Sequence, residues 1–351
     1  MSVSRALCSS VLTLATLTAL SPAVAQTQAG YHVARKLNVG GEGGWDYLVV
    51  DTAARRLFLS RGTHVMVVDL TRDSVIGDIP NTAGVHGIAL VPALNKGFTS
   101  NGRDSTVTVF DYRTLATIAT IRISGANPDA ILYEPTSRRV FTFNGRSHDA
   151  TAIDAATNRV VGTVALPGKP EAANFDGKGN VFVNIEDSVG KVTAFNAKTL
   201  AVKATWTVEG CEEPSGQGID RAHDLLFLAC ANSVMAVVHY TSGHEVSAKI
   251  PIGAGTDGAA FDPARGLAFS TNGGDGTLTV IHQDAPDHYS VVGTVPTQRG
   301  ARTIALDERT HHVYTVSAEF GPAPAPTADQ PRPRRTLIPG TFTVLDLEPE
   351  R

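Results

Sequence analysis

Seven polar side chains recur 40 to 45 residues apart among small and apolar neighbours: Asp46, His86, Asp129, Glu171, Ser215, Asp257 and Arg302. Each lies five residues before the acidic or turn residue that ends a short apolar run, at Asp51, Val91, Glu134, Asp176, Asp220, Asp262 and Asp307. A common register in a repeat brings such side chains to one end of the repeat, so four carboxylates are expected to converge. At ~8 Å and an effective dielectric near 20, each carboxylate pair costs roughly 2 kcal/mol, and something must offset that. In a closed ring Arg302 follows Asp257 and neighbours Asp46, so it can partner both. His86, Asp129 and Glu171 then stand as a consecutive trio without a fixed positive partner. One imidazole with two carboxylates is a partial ligand set for zinc or manganese. Calcium needs more oxygens, which Asn101, Asn144, backbone carbonyls and water can add. The competing reading is a water-filled polar channel that holds no ion.

The repeat that positions these residues has a second and a third marker. The third apolar run of each copy ends in Asp69, Asp111, Asp154, Asn196, His239, His282 and Asp346, at spacings of 42, 43, 42, 43, 43 and 64. The second run closes on Phe98-Thr-Ser-Asn101, Phe141-Thr-Phe-Asn144, Val181-Phe-Val-Asn184, Phe269-Ser-Thr-Asn272 and Tyr314-Thr-Val-Ser317, and departs as Phe58-Leu-Ser-Arg61 and Phe227-Leu-Ala-Cys230. The runs are short, rich in Val, Ile, Thr and Phe, and punctuated by Gly, Asp, Asn and Pro, which is strand-and-turn chemistry. Four strands per repeat of this length predict an all-β, seven-bladed β-propeller. The last copy stops after its third strand, whereas residues 31–39 form an unattached strand before the first copy. The N-terminal strand is therefore expected to complete the last blade and close the ring, hiding edges that invite aggregation.

These second-run motifs look like YVTN repeats, and over nearly all of the mature chain the sequence resembles the bacterial periplasmic YncE-like proteins. The resemblance implies a periplasmic binding or scaffold propeller whose channel mouth takes a small ligand, with or without a divalent cation. Asn101, Asn144, Asn184 and Asn272 either cap the loops that follow them, as Asn does in turns, or contact that ligand. Trp45 either stacks on the ligand or is buried between blades. A second function class is a metal-assisted hydrolase at the same mouth, as in metal-bearing propeller lactonases, although the repeats here are of the YVTN type. His148 and Glu186, in loops on the same face, are candidates for acid–base work.

Residues 1–25 read as an export signal, with Arg5, an apolar run from Val11 to Leu20 and an Ala23-Val24-Ala25 site. A periplasmic or secreted monomer without a membrane span is expected, with residues 26–351 as one propeller. In an oxidising compartment Cys211 and Cys230, both reaching the mouth face, are expected to form a disulfide, while Cys8 leaves with the signal. The mature chain keeps 29 basic against 34 acidic residues and 6% aromatics, which argues against nucleic-acid binding. Gly253-Ala-Gly255-Thr-Asp-Gly258 enters a strand instead of opening a helix, so it is no dinucleotide fingerprint. No GxSxG elbow or HExxH motif is present, and His311-His312 belongs to the opposite face. Residues 321–340 form a Pro-rich insertion with Arg332, Arg334 and Arg335. It is a loop tip, a lid over the mouth, or the contact surface of a protein-interaction module.

Overall fold

A computed structural model describes residues 30–241, 243–325 and 335–350. The expected export signal, Cys8, Arg332 and Arg334 lie outside the described residues. Seven four-stranded antiparallel sheets are arranged as the blades of a propeller. Six blades use consecutive strands, and their innermost strands run Leu48–Asp51, Val85–Val91, Pro128–Glu134, Lys169–Phe175, Pro214–Asp220 and Thr256–Asp262. The seventh combines Ala305–Asp307, His312–Ser317 and Thr343–Pro349 with the N-terminal strand Tyr31–Asn38 on its outside. Helical structure among the described residues is the 3-10 turn Pro92–Leu94, and no helix there is long and apolar enough to cross a membrane.

The markers of the repeat have separate structural jobs. The side-chain oxygens of Asp69, Asp111 and Asn196 accept backbone N–H groups two and three residues on, and that of Asp154 accepts one three residues on. These bonds fix the turn into the outer strand, which is why Asp or Asn recurs there. At the start of the second-run motif Phe58, Phe98, Phe141, Val181, Phe227, Phe269 and Tyr314 are all buried. They pack between blades, as in the Phe58–Phe110 and Phe141–Phe195 ring pairs, and each buried ring contributes roughly 1.5–3 kcal/mol.

Asn101, Asn144 and Asn272 are fully buried inside their sheets. Asn101 Nδ2 donates to Thr106 and Thr108, Asn144 Nδ2 to Asp149 and Thr151, and Asn272 Nδ2 to Thr277 and Thr279. Their Oδ1 atoms accept from Thr99, Thr142 and Ser270. The expectation that these amides cap the following loops is corrected: each cross-links the second and third strands of its own blade. Cys230 replaces this ladder in the fifth blade and is joined to Cys211 by a disulfide.

Ring closure rests on the N-terminal strand, which pairs antiparallel with Thr343–Pro349 from Tyr31↔Pro349 to Asn38↔Thr343. Arg35 donates twice to Asp346 Oδ2, at 3.1 and 2.5 Å, and His312 Nδ1 lies 2.7 Å from Asp346 Oδ1. Burial works against the Asp346 charge, yet the hydrogen bonds from His312 and Arg35 hold its carboxyl below the usual carboxylate range. A carboxyl depressed in this way adds stability above its unfolded value near 3.9, and that stability is lost as pH falls through the lower folded value. Asp346→Asn should therefore cost roughly 2 kcal/mol at pH 7, with the deficit shrinking in denaturant melts as pH is lowered below 4. Replacing Cys211 and Cys230 together by alanine should cost about 3 kcal/mol, read as a lower urea midpoint under oxidising conditions only.

Candidate functional site

One polar residue per blade reaches the channel mouth because five of the innermost strands carry a β-bulge there. The register jumps between Val85 and Ile88, Pro128 and Ile131, Pro170 and Ala173, Pro214 and Gly216, and Thr256 and Gly258. His86, Asp129, Glu171, Ser215 and Asp257 fall inside those five jumps, and Asp46 and Arg302 lie just ahead of the innermost strands of blades 1 and 7. A bulge re-aims the side chain it carries, here toward the axis. Second-strand hydroxyls hold the bulges in place: Ser100 Oγ accepts Gly87 N–H at 2.9 Å and donates to the Asp129 carbonyl of the next blade. Ser60 Oγ does the same work for Asp46, accepting its N–H at 3.0 Å. The residue after Ser215 must be glycine, since a Cβ on Gly216 would stand 2.6 Å from the backbone of the adjacent blade.

Asp46 is the hub of the mouth. His86 Nδ1 lies 2.6 Å from Asp46 Oδ2 and 3.4 Å from Asp129 Oδ1. Arg302 donates to Asp257 Oδ2 at 2.6 Å, to Asp46 Oδ1 at 3.3 Å and to the Trp45 carbonyl at 3.0 Å. Among the described residues, Asp46, His86 and Asp129 form the group that brings three metal-ligating atoms within 4.8 Å of one another. Burial opposes a charge on His86, but the hydrogen bond to Asp46 and the charge of Asp129 raise its pKa overall. Burial pushes Asp129 up to about 6 despite the nearby His86 charge, and Asp257 up to about 6 despite Arg302.

Glu171 stands apart from the trio expected of it. Lys169 Nζ donates to Glu171 Oε1 at 2.8 Å and also to Glu186, while the Tyr47 hydroxyl donates to Glu171 Oε2 at 3.2 Å. The expectation that Glu171 lacks a positive partner is thus corrected, and Asp46 takes its place beside His86 and Asp129. Burial and the Asp129 charge still push the Glu171 carboxyl well above its usual range. Lys169 was legible, being two residues from Glu171 in one strand and so on the same face; Tyr47 had no such signal. Ser215 is also redirected, because its hydroxyl donates to the Thr256 carbonyl and stitches blade 5 to blade 6. His148 is exposed in its loop, and His311 and His312 serve the far face, bonded to Asp262 and Asp346.

Beneath the ring lies a cavity of about 170 Å³ whose walls include Ile88, Ile131, Ile304, Gln217 and Asp257. Beside the mouth, the base of the Pro-rich insertion folds back on itself, with Gly321 N–H on the Thr336 carbonyl and Ile338 N–H on the Glu319 carbonyl. The rings of Phe320 and Phe342, which flank the insertion, pack on Trp45 at centroid distances of 6.0 and 5.5 Å. Trp45 therefore anchors the insertion next to Asp46.

A carboxyl raised in the folded state has the opposite linkage to Asp346. Between the unfolded value near 3.9 and the folded value of about 6 for Asp129, only the unfolded chain releases its proton, so stability falls as pH rises through that window. Asp129→Asn should stabilise chelator-treated protein by about 2–3 kcal/mol at pH 7. The gain should vanish near pH 3.5, as followed by urea melts across pH.

No protein-family model and no curated protein matches the sequence. Among solved structures, "Kuenenia stuttgartiensis Hydrazine Synthase" is similar at TM-score 0.70 and 15% identity, over 79% of this chain and 93% of that one. A chain of the "Mitotic Checkpoint Complex" is similar at TM-score 0.72 and 12% identity, over 97% of this chain and 99% of that one. Identities this low carry the fold alone, and the fold they share with this chain is the β-propeller.

Proposed function

We propose that the chain is a periplasmic binding propeller of the YncE-like, YVTN-repeat kind. Its channel mouth holds a small ligand beside a divalent cation bound by Asp46, His86 and Asp129. The observation that carries this reading is the approach of one imidazole nitrogen and two carboxylates to within 4.8 Å at the head of a channel. Metal bonds of 2.0–2.2 Å set tetrahedral ligand atoms about 3.4 Å apart, so these side chains need only small rotations to close on zinc or manganese. Burial chiefly raises the Asp129 carboxyl, and the Asp46 and Asp257 charges that add to the rise favour a cation there. The disulfide fits an oxidising compartment, as does the export-like N-terminus.

Binding is favoured over hydrolysis by the state of the neighbouring groups. A metal-assisted hydrolase needs a free base near the ion, whereas Glu171 is held by Lys169 and Tyr47, and Asp257 by Arg302.

Elemental analysis of protein purified without chelator or metal-affinity resin tests the proposal. Near-stoichiometric zinc or manganese is expected, lost on joint replacement of His86 by alanine and Asp129 by asparagine in a chain that stays folded. Because the ligands must be deprotonated to bind and both His86 and Asp129 hold protons to higher pH than usual, uptake should release protons and weaken as pH falls below neutrality. Protein that holds no metal and takes up no added zinc, manganese or calcium would refute the cation site.

A further inference from the structure

The turns that lead into the outer strands lie on the face opposite the mouth, and they divide the ring into two arcs of unlike charge. In blades 1–4 these turns carry the exposed side chains of Arg72, Arg113, Arg159 and Lys198. The corresponding stretches of blades 5–7 carry Glu245, Asp284, Asp287, Glu348 and Glu350, with no Lys or Arg between His239 and Val246 or between His282 and Tyr289. The acids of the basic arc are engaged within the protein. Asp69, Asp111 and Asp154 accept turn N–H groups, and Asp73 meets Arg35 at 2.8 Å.

Exposed apolar side chains follow the same arc. Each outer strand of blades 1–3 carries a bulge just after its turn, and the residue left between the paired positions is Ile76, Ile118 or Val161. These three are 43, 49 and 43% exposed, and Val75, Val160 and Val202 stand exposed beside them. In blades 4 and 5 the same bulge position holds Lys203 and Ser247. Among the described residues, Val291 of blade 6 is the exposed large apolar side chain of an outer strand that falls outside the arc. Inward from this rim the face stays apolar, with a hollow of about 550 Å³ whose walls include Val50, Leu90, Leu132 and Tyr133.

Because every blade presents this segment in one register, the side chains stand at one height on the rim, and points at one height on a ring define a plane. A flat surface laid against this face meets blades 1–4 together. Apolar tips set among guanidinium and ammonium groups suit the interface of an anionic bilayer, where hydrocarbon enters the acyl boundary and the cations meet phosphate. A soluble polyanion would leave Ile76, Ile118 and Val161 in water. We propose that the rim of blades 1–4 seats the protein on an anionic lipid surface, with the acidic arc tilted away and the channel mouth turned toward the aqueous side.

The test is co-sedimentation with vesicles of phosphatidylglycerol and phosphatidylcholine in equal parts, and of phosphatidylcholine alone. The protein is used from residue 26 onward, so that the apolar run from Val11 to Leu20 cannot itself take up lipid. Binding should be confined to the anionic vesicles and fall about tenfold between about 50 and 500 mM salt. Arg113→Glu with Arg159→Glu should weaken it about thirtyfold, and Ile118→Ser with Val161→Ser about tenfold. Arg299→Glu with Arg309→Glu, an equal change of net charge at blade 7, should leave it within about twofold.

No binding to anionic vesicles at low salt overturns the proposal, as does an equal loss in the blade 7 control, which marks adsorption without a preferred face. A loss with the arginine pair but none with the apolar pair also overturns it, and assigns the basic arc to an acidic protein instead. If those variants misfold, Ile118→Trp in an otherwise native chain decides: brominated acyl chains should quench its emission, and no quenching at saturation overturns the proposal. None of these substitutions touches the mouth, so the cation site stands or falls separately.

Discussion

Seven sheets around one axis make the first and last blades neighbours, and everything at the mouth depends on their meeting. Asp46 belongs to blade 1 and Arg302 to blade 7, so their contact exists only when the N-terminal strand Tyr31–Asn38 has paired with Thr343–Pro349. The same seam is tied on the far face, where Arg55 of blade 1 donates to the buried Asp307 of blade 7. Closure removes two open sheet edges and supplies Asp46 with the guanidinium that shares its charge with Asp257. Without the seam, Asp46 loses the guanidinium, which would stay beside Asp257 of the adjoining blade 6.

Within the closed ring, bulges decide which side chains turn inward, and electrostatics decides what state they take. Asp129, Glu171 and Asp257 are all raised chiefly by burial. Such a set would be selected against if stability alone were at stake, because buried carboxylates that resist ionisation weaken the fold at neutral pH. Sites that bind commonly carry strain of this kind, and relieving it stabilises the protein at the expense of function. The remainder of the propeller, with its interblade aromatics and hydroxyl-to-amide ladders, is well able to carry the cost.

Architecture was legible in the sequence because it repeats. A marker that recurs seven times gives blade number, strand order and even the donor of the missing strand, since the leftover run at residues 31–39 matches the vacancy in the last copy. The disulfide was readable for the same reason, as Cys230 occupies a position whose place in the blade the other copies define. Side-chain partnerships were less legible where they cross the repeat. Lys169 reaches Glu171 within one strand but Glu186 from the next, and Tyr47 of blade 1 crosses the channel to Glu171 of blade 4. The Asn markers misled for a related reason: an Asn before a loop reads as a cap, while its burial depends on Thr106, Thr151 or Thr279 in the following strand.

Lys169 accounts for the asymmetry of the mouth. By holding Glu171 and Glu186 together it offsets part of the charge on the blade 4 side. Arg302 covers the other side only in part, since its two donors go to Asp257 and Asp46 and none to Asp129. Among the described residues, Asp129 is then the mouth carboxylate with no permanent cation in contact and with only a 3.4 Å approach to His86. Just below, the walls turn apolar at Ile88 and Ile131, one on the His86 strand and one on the Asp129 strand. Charge at the rim and hydrocarbon beneath it thus lie two residues apart on the same bulged strands, so one repeated backbone feature sets both.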